Sequence, residues 1–206
     1  QLDNIFSFIN NSLNDENGLL YSSISAVTEV GDEKIEGDYY VWKKNNLKEI
    51  LGKNYGLFQD YYNVNKVGFW EKDKYVLKRE HDDNFFIEKY NISKNQLESK
   101  IKESIKILKK SRENRLKPIV DDKFVTSWNA LSVIGLSDAY QSTGDNKFLD
   151  KALEIISAVE KNLVKKNLIV DRSLSGSNES ILFLEDYIFL ISAYLSLYQS
   201  TFNYDF

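Results

Sequence analysis

Residues 126–163 decide the fold of this chain, and they read TSWNALSVIGLSDAYQSTGDNKFLDKALEIISAVEKNL. From Thr126 to about Tyr140, apolar side chains fall on nearly every side of a helix, which predicts an inner helix buried on most faces. Gly144 can adopt the left-handed backbone conformation that ends a helix, and Asp145 is a suitable N-cap for a second, outer helix. The outer helix has an apolar stripe of Phe148, Ala152, Ile155, Ile156, Val159 and Leu163, opposite a polar face of Lys151, Glu154, Lys161 and Asn162.

A third helix is predicted from about Ser180 to Ser200, after a polar loop of residues 173–177. It is again apolar nearly all round, so it is predicted to be a second inner helix. Stacked α-hairpins produce this order of inner, outer and inner helices. The sequence therefore predicts a mainly α fold of stacked α-hairpins that form part of an α/α toroid.

The first half of the chain contains shorter signals. Ser93 and Gln96 form a capping-box pattern that begins a long helix ending at about Arg115. A short helix is predicted over residues 47–51, and glycines beside β-branched and aromatic residues predict short strands or β-hairpin insertions. These insertions lie near residues 36–42 and 67–77. A first helix is predicted over residues 2–13, with Leu2, Ile5, Phe6, Ile9 and Leu13 facing inward.

Composition excludes several classes of protein. The 206 residues carry 27 basic and 31 acidic side chains in an interspersed order, so a basic face for nucleic acid is not indicated. No stretch approaches the ~20 apolar residues of a membrane span, and no signal peptide is visible, so a cytoplasmic location is predicted. The absence of cysteine excludes disulfides and thiolate chemistry, and no cofactor is predicted. Methionine is also absent, which indicates a piece of a longer or processed chain.

Three motifs carry a family resemblance. Residues 120–131 read VDDKFVTSWNAL, residues 183–187 read FLEDY, and residues 36–42 read EGDYYVW. In order and spacing they resemble the thioredoxin-domain-containing proteins of the spermatogenesis-associated type. Arg112, Arg115 and Pro118 also fall where the family has Arg-x-x-Arg and a proline.

The resemblance implies a parent protein with an N-terminal thioredoxin-like domain and a larger α/α toroid, similar to N-acylglucosamine 2-epimerases and six-hairpin glycosidases. Residues 1–206 would be a single segment from the middle of that toroid, without the thioredoxin-like domain. Residues 21–29 read YSSISAVTE, where the family usually has two aspartates, and both are missing here. By resemblance alone, the implied activity is that of a sugar-active hydrolase or isomerase.

Four carboxylates are the predicted catalytic groups. Asp121 and Asp122 precede the first inner helix, while Glu185 and Asp186 lie in an otherwise apolar helix, where acids are costly unless they are paired or face a cavity. A glycosidase needs two carboxyl groups roughly 5 to 10 Å apart. The alternative for all four is helix capping or pairing with lysine and arginine, and the sequence leaves both open.

Other residues are predicted to bind a small sugar beside these acids. The single histidine, His81, lies in a charged stretch and is assigned to the surface, so an epimerase mechanism is not supported. No metal site is predicted, although weak calcium or magnesium sites at residues 82–83 or 121–122 remain open. For the tryptophans, the alternative is a place in the core. The predicted substrate-binding residues are Arg112, Arg115, Lys123, Trp128, Asn129, Tyr187 and Trp42.

Two functional classes follow. The first is a carbohydrate-binding or carbohydrate-processing toroid that uses paired carboxylates. The second is a non-catalytic helical scaffold that contacts the thioredoxin-like domain of its parent or another protein. Because these helices are too few to close a toroid of about six hairpins, exposed apolar faces and self-association through them are also expected.

Overall fold

The structure is a computed structural model that describes residues 2–65, 68–71, 73–173 and 183–206. It is mainly α with short antiparallel strand pairs, which confirms the predicted fold class. The chain divides into two compact units: a terminal unit, Gln1–Ile24 with Val120–Phe206, and a middle unit, Ser25–Ile119. The prediction of one toroid segment over the whole chain stays a prediction. Within the described residues, no helix combines the length and apolarity needed to cross a bilayer.

The terminal unit is built around a hairpin of two long helices. Gly144 ends the first helix in the left-handed conformation, and Asp145 caps the second by accepting a hydrogen bond from the N–H of Lys147, as the sequence predicts. The next long helix packs on the first and completes one core. The helices are α1 (Leu2–Phe8, continued by a π-helical turn at Ile9–Leu13), α6 (Thr126–Thr143), α7 (Asn146–Leu163) and α8 (Leu184–Thr201).

The two predicted inner helices are less buried than expected. Each buries one side in the core but leaves apolar side chains exposed on the other. On α6, Trp128 and Leu131 are 47% and 42% exposed, so the interpretation of Trp128 as a core residue is wrong. Among the described elements, α1 reaches this side of α6 only farther along the helix, at Ser132 and Gly135, so Trp128 and Leu131 stay open to solvent. On α8, the exposed apolar residues are Leu184, Ile188, Ile191 and Leu195.

The outer helix α7 buries its predicted stripe, but two other details differ from the prediction. Lys151, assigned to the polar face, is buried because its ammonium group pairs with Glu154 and donates to the side chain of Asn14. In α1, Leu2 and Ile5 do not face inward and are about half exposed. They line the mouth of a small apolar cavity against α6, so this short helix covers the core only in part.

The described residues of the terminal unit also form two strand pairs. β1 (Ser23–Ile24) pairs with β6 (Val120–Asp121) in antiparallel register, which fixes the residues just before α6. β7 (Val164–Lys165) pairs with β8 (Ile169–Val170) directly after α7. The segment that follows β8 contacts the start of α6, because the N–H of Thr126 donates to the carbonyl oxygen of Arg172.

Within its described residues, the middle unit contains four helices and two small strand pairs. Its core contains Trp42, Phe58, Phe86 and Leu97, all nearly inaccessible to solvent. The capping box at Ser93 is present, as the sequence predicts. The elements are β2 (Val27–Val30) with β3 (Glu33–Glu36), β4 (Trp42–Lys43) with β5 (Lys74–Tyr75), α2 (Lys44–Leu51), α3 (Tyr55–Tyr61), α4 (Asp83–Tyr90) and α5 (Lys94–Glu113).

The sequence predicts this unit only in part. Short strands are found near both predicted insertions, although residues 37–40 form a turn, and residues 67 and 72 lie outside the described residues. The hairpin of β2 and β3 is not predicted, even though a two-residue Gly-Asp turn between β-branched segments is a hairpin signal. Helices α3 and α4 are missed because each is short, and because Asp82, the N-cap of α4, lies in the stretch interpreted as solvated charge.

Candidate functional site

Asp186 lies in the first turn of α8, and its side chain is fully buried. Its Oδ1 accepts a hydrogen bond of 2.9 Å from the backbone N–H of Ser127, the second residue of α6. The N-cap residue of α6, Val125, has no side chain that can accept such a bond. The first N–H groups of a helix have no partner within the helix and favour a negative charge. Asp186 therefore caps α6 from a neighbouring helix.

Arg172 joins the two acids of α8. Its Nη1 lies 3.5 Å from Oδ2 of Asp186 and 3.6 Å from Oε2 of Glu185. The guanidinium also stacks over the ring of Phe183, 4.5 Å from the ring centroid. A buried carboxylate requires a positively charged partner. Arg172 provides one, so the burial of Asp186 is explained without a bound substrate. Glu185 is half exposed and keeps a side that solvent reaches.

Asp121 and Asp122 lie in a different setting. Asp121 belongs to β6, and its carboxylate is 3.1 Å from Nζ of Lys123 and accepts a bond from the Lys123 backbone N–H. These hydrogen bonds from Lys123 lower the pKa of Asp121 below its ordinary value. A general acid needs a raised pKa. Asp121 is instead held as an ionised carboxylate near the surface. Its neighbour Asp122 is exposed.

Asn129 connects α6 to the segment before β1. The side chain is buried, and its Oδ1 accepts a bond of 2.8 Å from the N–H of Leu20 while its Nδ2 donates to the Leu20 carbonyl at 3.1 Å. The same Nδ2 donates to the carbonyl oxygen of Val125 at 3.0 Å. Every polar atom of this amide has a partner in the protein backbone. Asn129 therefore has a structural role in the terminal unit.

The two aromatic residues predicted to bind substrate in the terminal unit differ in exposure. Trp128 presents nearly half of its surface to solvent on the first turn of α6. Tyr187 is partly buried, and its hydroxyl accepts a hydrogen bond of 3.1 Å from the N–H of Val170. Trp128 is thus open to a ligand, whereas Tyr187 anchors β8 to α8.

The remaining predicted residues, Trp42, Arg112 and Arg115, belong to the middle unit. Nη1 of Arg115 donates to the carbonyl oxygens of Asp38, Tyr39 and Val41 at 3.2, 3.1 and 2.8 Å. The Arg115 guanidinium also stacks 3.8 Å from the ring centroid of Trp42, which is buried. Arg112 lies 5.4 Å from the ring centroid of Tyr39. Arg115 thus holds the turn that leads into β4.

The predicted site residues consequently divide between the two units. In the terminal unit, the structure brings Glu185 and Asp186 together with Arg172, while Asp121 is paired with Lys123. The catalytic role of the four carboxylates stays a prediction. Helix capping and pairing with lysine or arginine, the alternative to a catalytic role, account for the contacts of Asp121 and Asp186.

Two features could not be assigned to particular residues from the sequence. The first is the α8 seam, which we define as Leu184, Ile188, Ile191 and Leu195, between 51% and 75% exposed. Its spacing of four, three and four residues is visible in the sequence and is typical of helices that pack on another helix. The sequence predicts exposed apolar faces where the helices end the layer, but a helix that is apolar nearly all round does not identify which of its residues form that face.

The second feature is a polar cavity of about 320 Å³ in the middle unit. The two lysines at this cavity, Lys43 and Lys74, meet only through the pairing of β4 with β5. Because that register is set by tertiary structure, the sequence offers no local signal for it. The cavity is lined by Asp38, Val41, Lys43, Asn46, Lys74 and Arg115.

Comparison with known proteins supports the resemblance found in the motifs. The chain is similar to spermatogenesis-associated protein 20. It is 21% identical to the mouse protein over 228 residues, covering 96% of this chain and 29% of that protein. It is 20% identical to the human protein over the same length. It is also 32% identical over 190 residues to an uncharacterised protein of Caenorhabditis elegans, covering 80% of this chain and 26% of that protein. No family model matches.

The chain spans less than a third of the length of these curated relatives. Among solved structures, a sugar epimerase from a ruminal bacterium aligns with 98% of this chain and 48% of its own, at 19% identity and a TM-score of 0.38. A thioredoxin-like domain stays a prediction. Within the described part of the chain, no group of three or more histidine, aspartate or glutamate side chains is placed to hold a metal ion.

Proposed function

We propose that this chain is a helical assembly module that self-associates by packing the α8 seam of one copy on that of a second copy. The observation that carries this proposal is the seam itself, four apolar side chains spaced as in a helix-packing stripe and exposed to solvent. Large exposed apolar patches mark interaction surfaces.

The surface of α8 lacks the charges of an ordinary solvated helix. From Tyr187 to Thr201 the helix has no charged side chain. Its 18 residues extend over about 27 Å. A solvated helix normally carries charged residues opposite its apolar stripe, so this one has the composition of a helix covered on both sides.

A second copy fits this surface for two reasons. A seam with this spacing provides both knobs and holes, so two identical helices interlock in a two-fold arrangement. In an antiparallel pair, the two Glu185 side chains lie at opposite ends, so the one exposed charge of α8 does not oppose itself. The same acids would meet in a parallel pair. We therefore favour the antiparallel arrangement.

The first prediction concerns Leu195→Glu. We expect the wild-type chain to form dimers at micromolar concentration, and Leu195→Glu to raise the dissociation constant by about a hundredfold, because it places a charge in an apolar interface. Sedimentation velocity over a concentration series measures this. Leu168→Glu is the matched control, since Leu168 is 78% exposed but lies outside α8, and it should dimerise like the wild type.

Two results would count against the proposal. A wild-type chain that is monomeric at every concentration would mean that the seam has some other occupant, such as a helix of a different polypeptide or of the thioredoxin-like parent. A dimer that Leu195→Glu leaves intact would place the contact elsewhere. Circular dichroism of both variants verifies that they are folded.

A carbohydrate-binding or carbohydrate-processing role is the second candidate, and the exposure of Trp128 favours it. Aromatic faces stack on sugars through their apolar surface. Trp128 directly follows Ser127, whose N–H is bound by Asp186, and Glu185 and Arg172 offer polar groups at the start of α8. On this proposal, Glu185 is the carboxylate that contacts a sugar hydroxyl, and hydrolysis or isomerisation would require a second acid.

The second prediction tests this candidate with Glu185→Gln and Trp128→Ala. If a sugar binds here, each variant should weaken its affinity by about tenfold while the melting temperature stays within a few degrees, because both side chains are exposed. A screen of mono- and disaccharides followed by calorimetry measures the affinity. Failure of every sugar to bind the wild-type chain would remove this candidate and leave the assembly function untouched.

A further inference from the structure

The polar cavity of the middle unit has an excess of positive charge. Its described lining residues include three cations, Lys43, Lys74 and Arg115, and one anion, Asp38, so their formal charge is three minus one, or +2. Among the described lining residues, Val41 alone is apolar, and Asn46 adds an amide. A concave site with convergent groups of one sign attracts ligands of the opposite sign.

The two lysines are held together by the backbone. Lys43 and Lys74 are directly opposite each other in the antiparallel pair of β4 and β5. Like charges in opposed positions repel each other. Lys74 is buried and its ammonium group pairs with Asp38, but Lys43 has no ion pair with any described residue. The fold therefore maintains an uncompensated positive charge at this point.

Arg115 adds a third cation that is already fixed in position. Its three bonds to backbone carbonyls all use Nη1, and its plane is held against Trp42. No ion pair of Arg115 with a carboxylate is seen in the described part of the chain, and burial lowers its pKa. Fixing such a group beforehand reduces the entropy that ligand binding would cost.

The N-terminus of α2 opens at the same cavity. Lys43 is the N-cap residue of α2 and Asn46 is its third residue, and both line the cavity. No side chain caps this helix. An anion in the cavity would thus also be favoured by the N–H groups and the dipole of the helix.

We propose that this cavity binds the phosphate group of a small phosphomonoester. A phosphomonoester carries a charge of about −1.5 to −2 at neutral pH, which matches the formal charge of the lining. The volume of the cavity is at the lower end of the roughly 300–1,000 Å³ that small-molecule sites have, so the ligand has few atoms beyond the phosphate. The site lies wholly in the middle unit and does not depend on the function proposed for α8.

The third prediction tests this site with methyl phosphate as the probe. In two-dimensional NMR of the full chain, methyl phosphate should produce saturable shifts of the backbone amides of residues 44–46. Lys43→Gln should weaken its affinity by about tenfold, because one charge-assisted contact is lost. Lys48→Gln is the matched control, since it removes the same charge from α2 outside the cavity, and it should bind within about twofold of wild type.

Three outcomes would overturn the proposal. The first is the absence of saturable shifts in the folded wild-type chain. The second is an equal loss of affinity in Lys43→Gln and Lys48→Gln, which would mean a general electrostatic effect. The third is equal affinity for methyl sulfate, a monoanion of similar shape, because the proposed site requires two negative charges. Both lysines are exposed, so their variants are expected to fold.

Discussion

Asp186→Ala is expected to lower the free energy of unfolding by about 3 kcal/mol. The substitution leaves the N–H of Ser127 without its acceptor at the start of α6, and it removes the buried partner of Arg172. Urea denaturation followed by circular dichroism measures the change. Hydrogen exchange should show the loss of protection at the first turn of α6.

Two further variants separate the causes of this effect. Asp186→Asn retains an oxygen that accepts from Ser127 but loses the charge, so it should recover part of the stability. Glu185→Ala removes the neighbouring, half-exposed acid of the same Arg172 pair and should cost less than about 1 kcal/mol. If Asp186→Ala were as mild as Glu185→Ala, the role of Asp186 as the cap of α6 would be wrong.

This structural role explains much of one motif on which the family resemblance rests. Thr126 binds the backbone of residues 171 and 172, the N–H of Ser127 binds Asp186, and Asn129 binds Leu20. These residues therefore join α6 to three other segments of the terminal unit. The same motif supplies several predicted site residues, and its residues Thr126, Ser127 and Asn129 make packing contacts within the terminal unit.

The sequence predicts the long helices well because their signals are local. The glycine stop at Gly144, the cap at Asp145 and the capping box at Ser93 are each read within a few residues, and the structure contains all three. Burial is predicted less well. The apolar periodicity of α8 is the same whether its second side is covered by this chain or by another, so it cannot specify which side chains remain exposed.

The candidate sites were harder to predict because they depend on contacts between distant residues. The sequence identifies Arg115 as a binding residue, but it gives no sign that Nη1 is occupied by backbone carbonyls. Likewise, Lys43 and Lys74 become neighbours only through the register of β4 with β5. Charged side chains in a sequence thus indicate which chemistry is available, and tertiary structure decides where it is used.

Arg115→Met is expected to lower the free energy of unfolding of the middle unit by about 3 kcal/mol. Methionine retains the apolar length of the side chain over Trp42 but cannot donate to the carbonyl oxygens of Asp38, Tyr39 and Val41. Those carbonyls belong to the turn that leads into β4, so hydrogen exchange of the amides in residues 37–42 should increase. Urea denaturation provides the energetic measurement.

Arg112→Met is the matched control, since it makes the same chemical change three residues earlier, in the last turn of α5. The Arg112 guanidinium lies over the ring of Tyr39 at 5.4 Å, a contact worth about 0.5–1 kcal/mol, so this variant should be close to wild type. Arg115→Lys restores the charge but not the planar fork, and it should recover less than half of the loss. Equal destabilisation by Arg112→Met and Arg115→Met would mean that the total charge at the C-terminal end of α5, rather than the bonds of Arg115 to this turn, stabilises the middle unit.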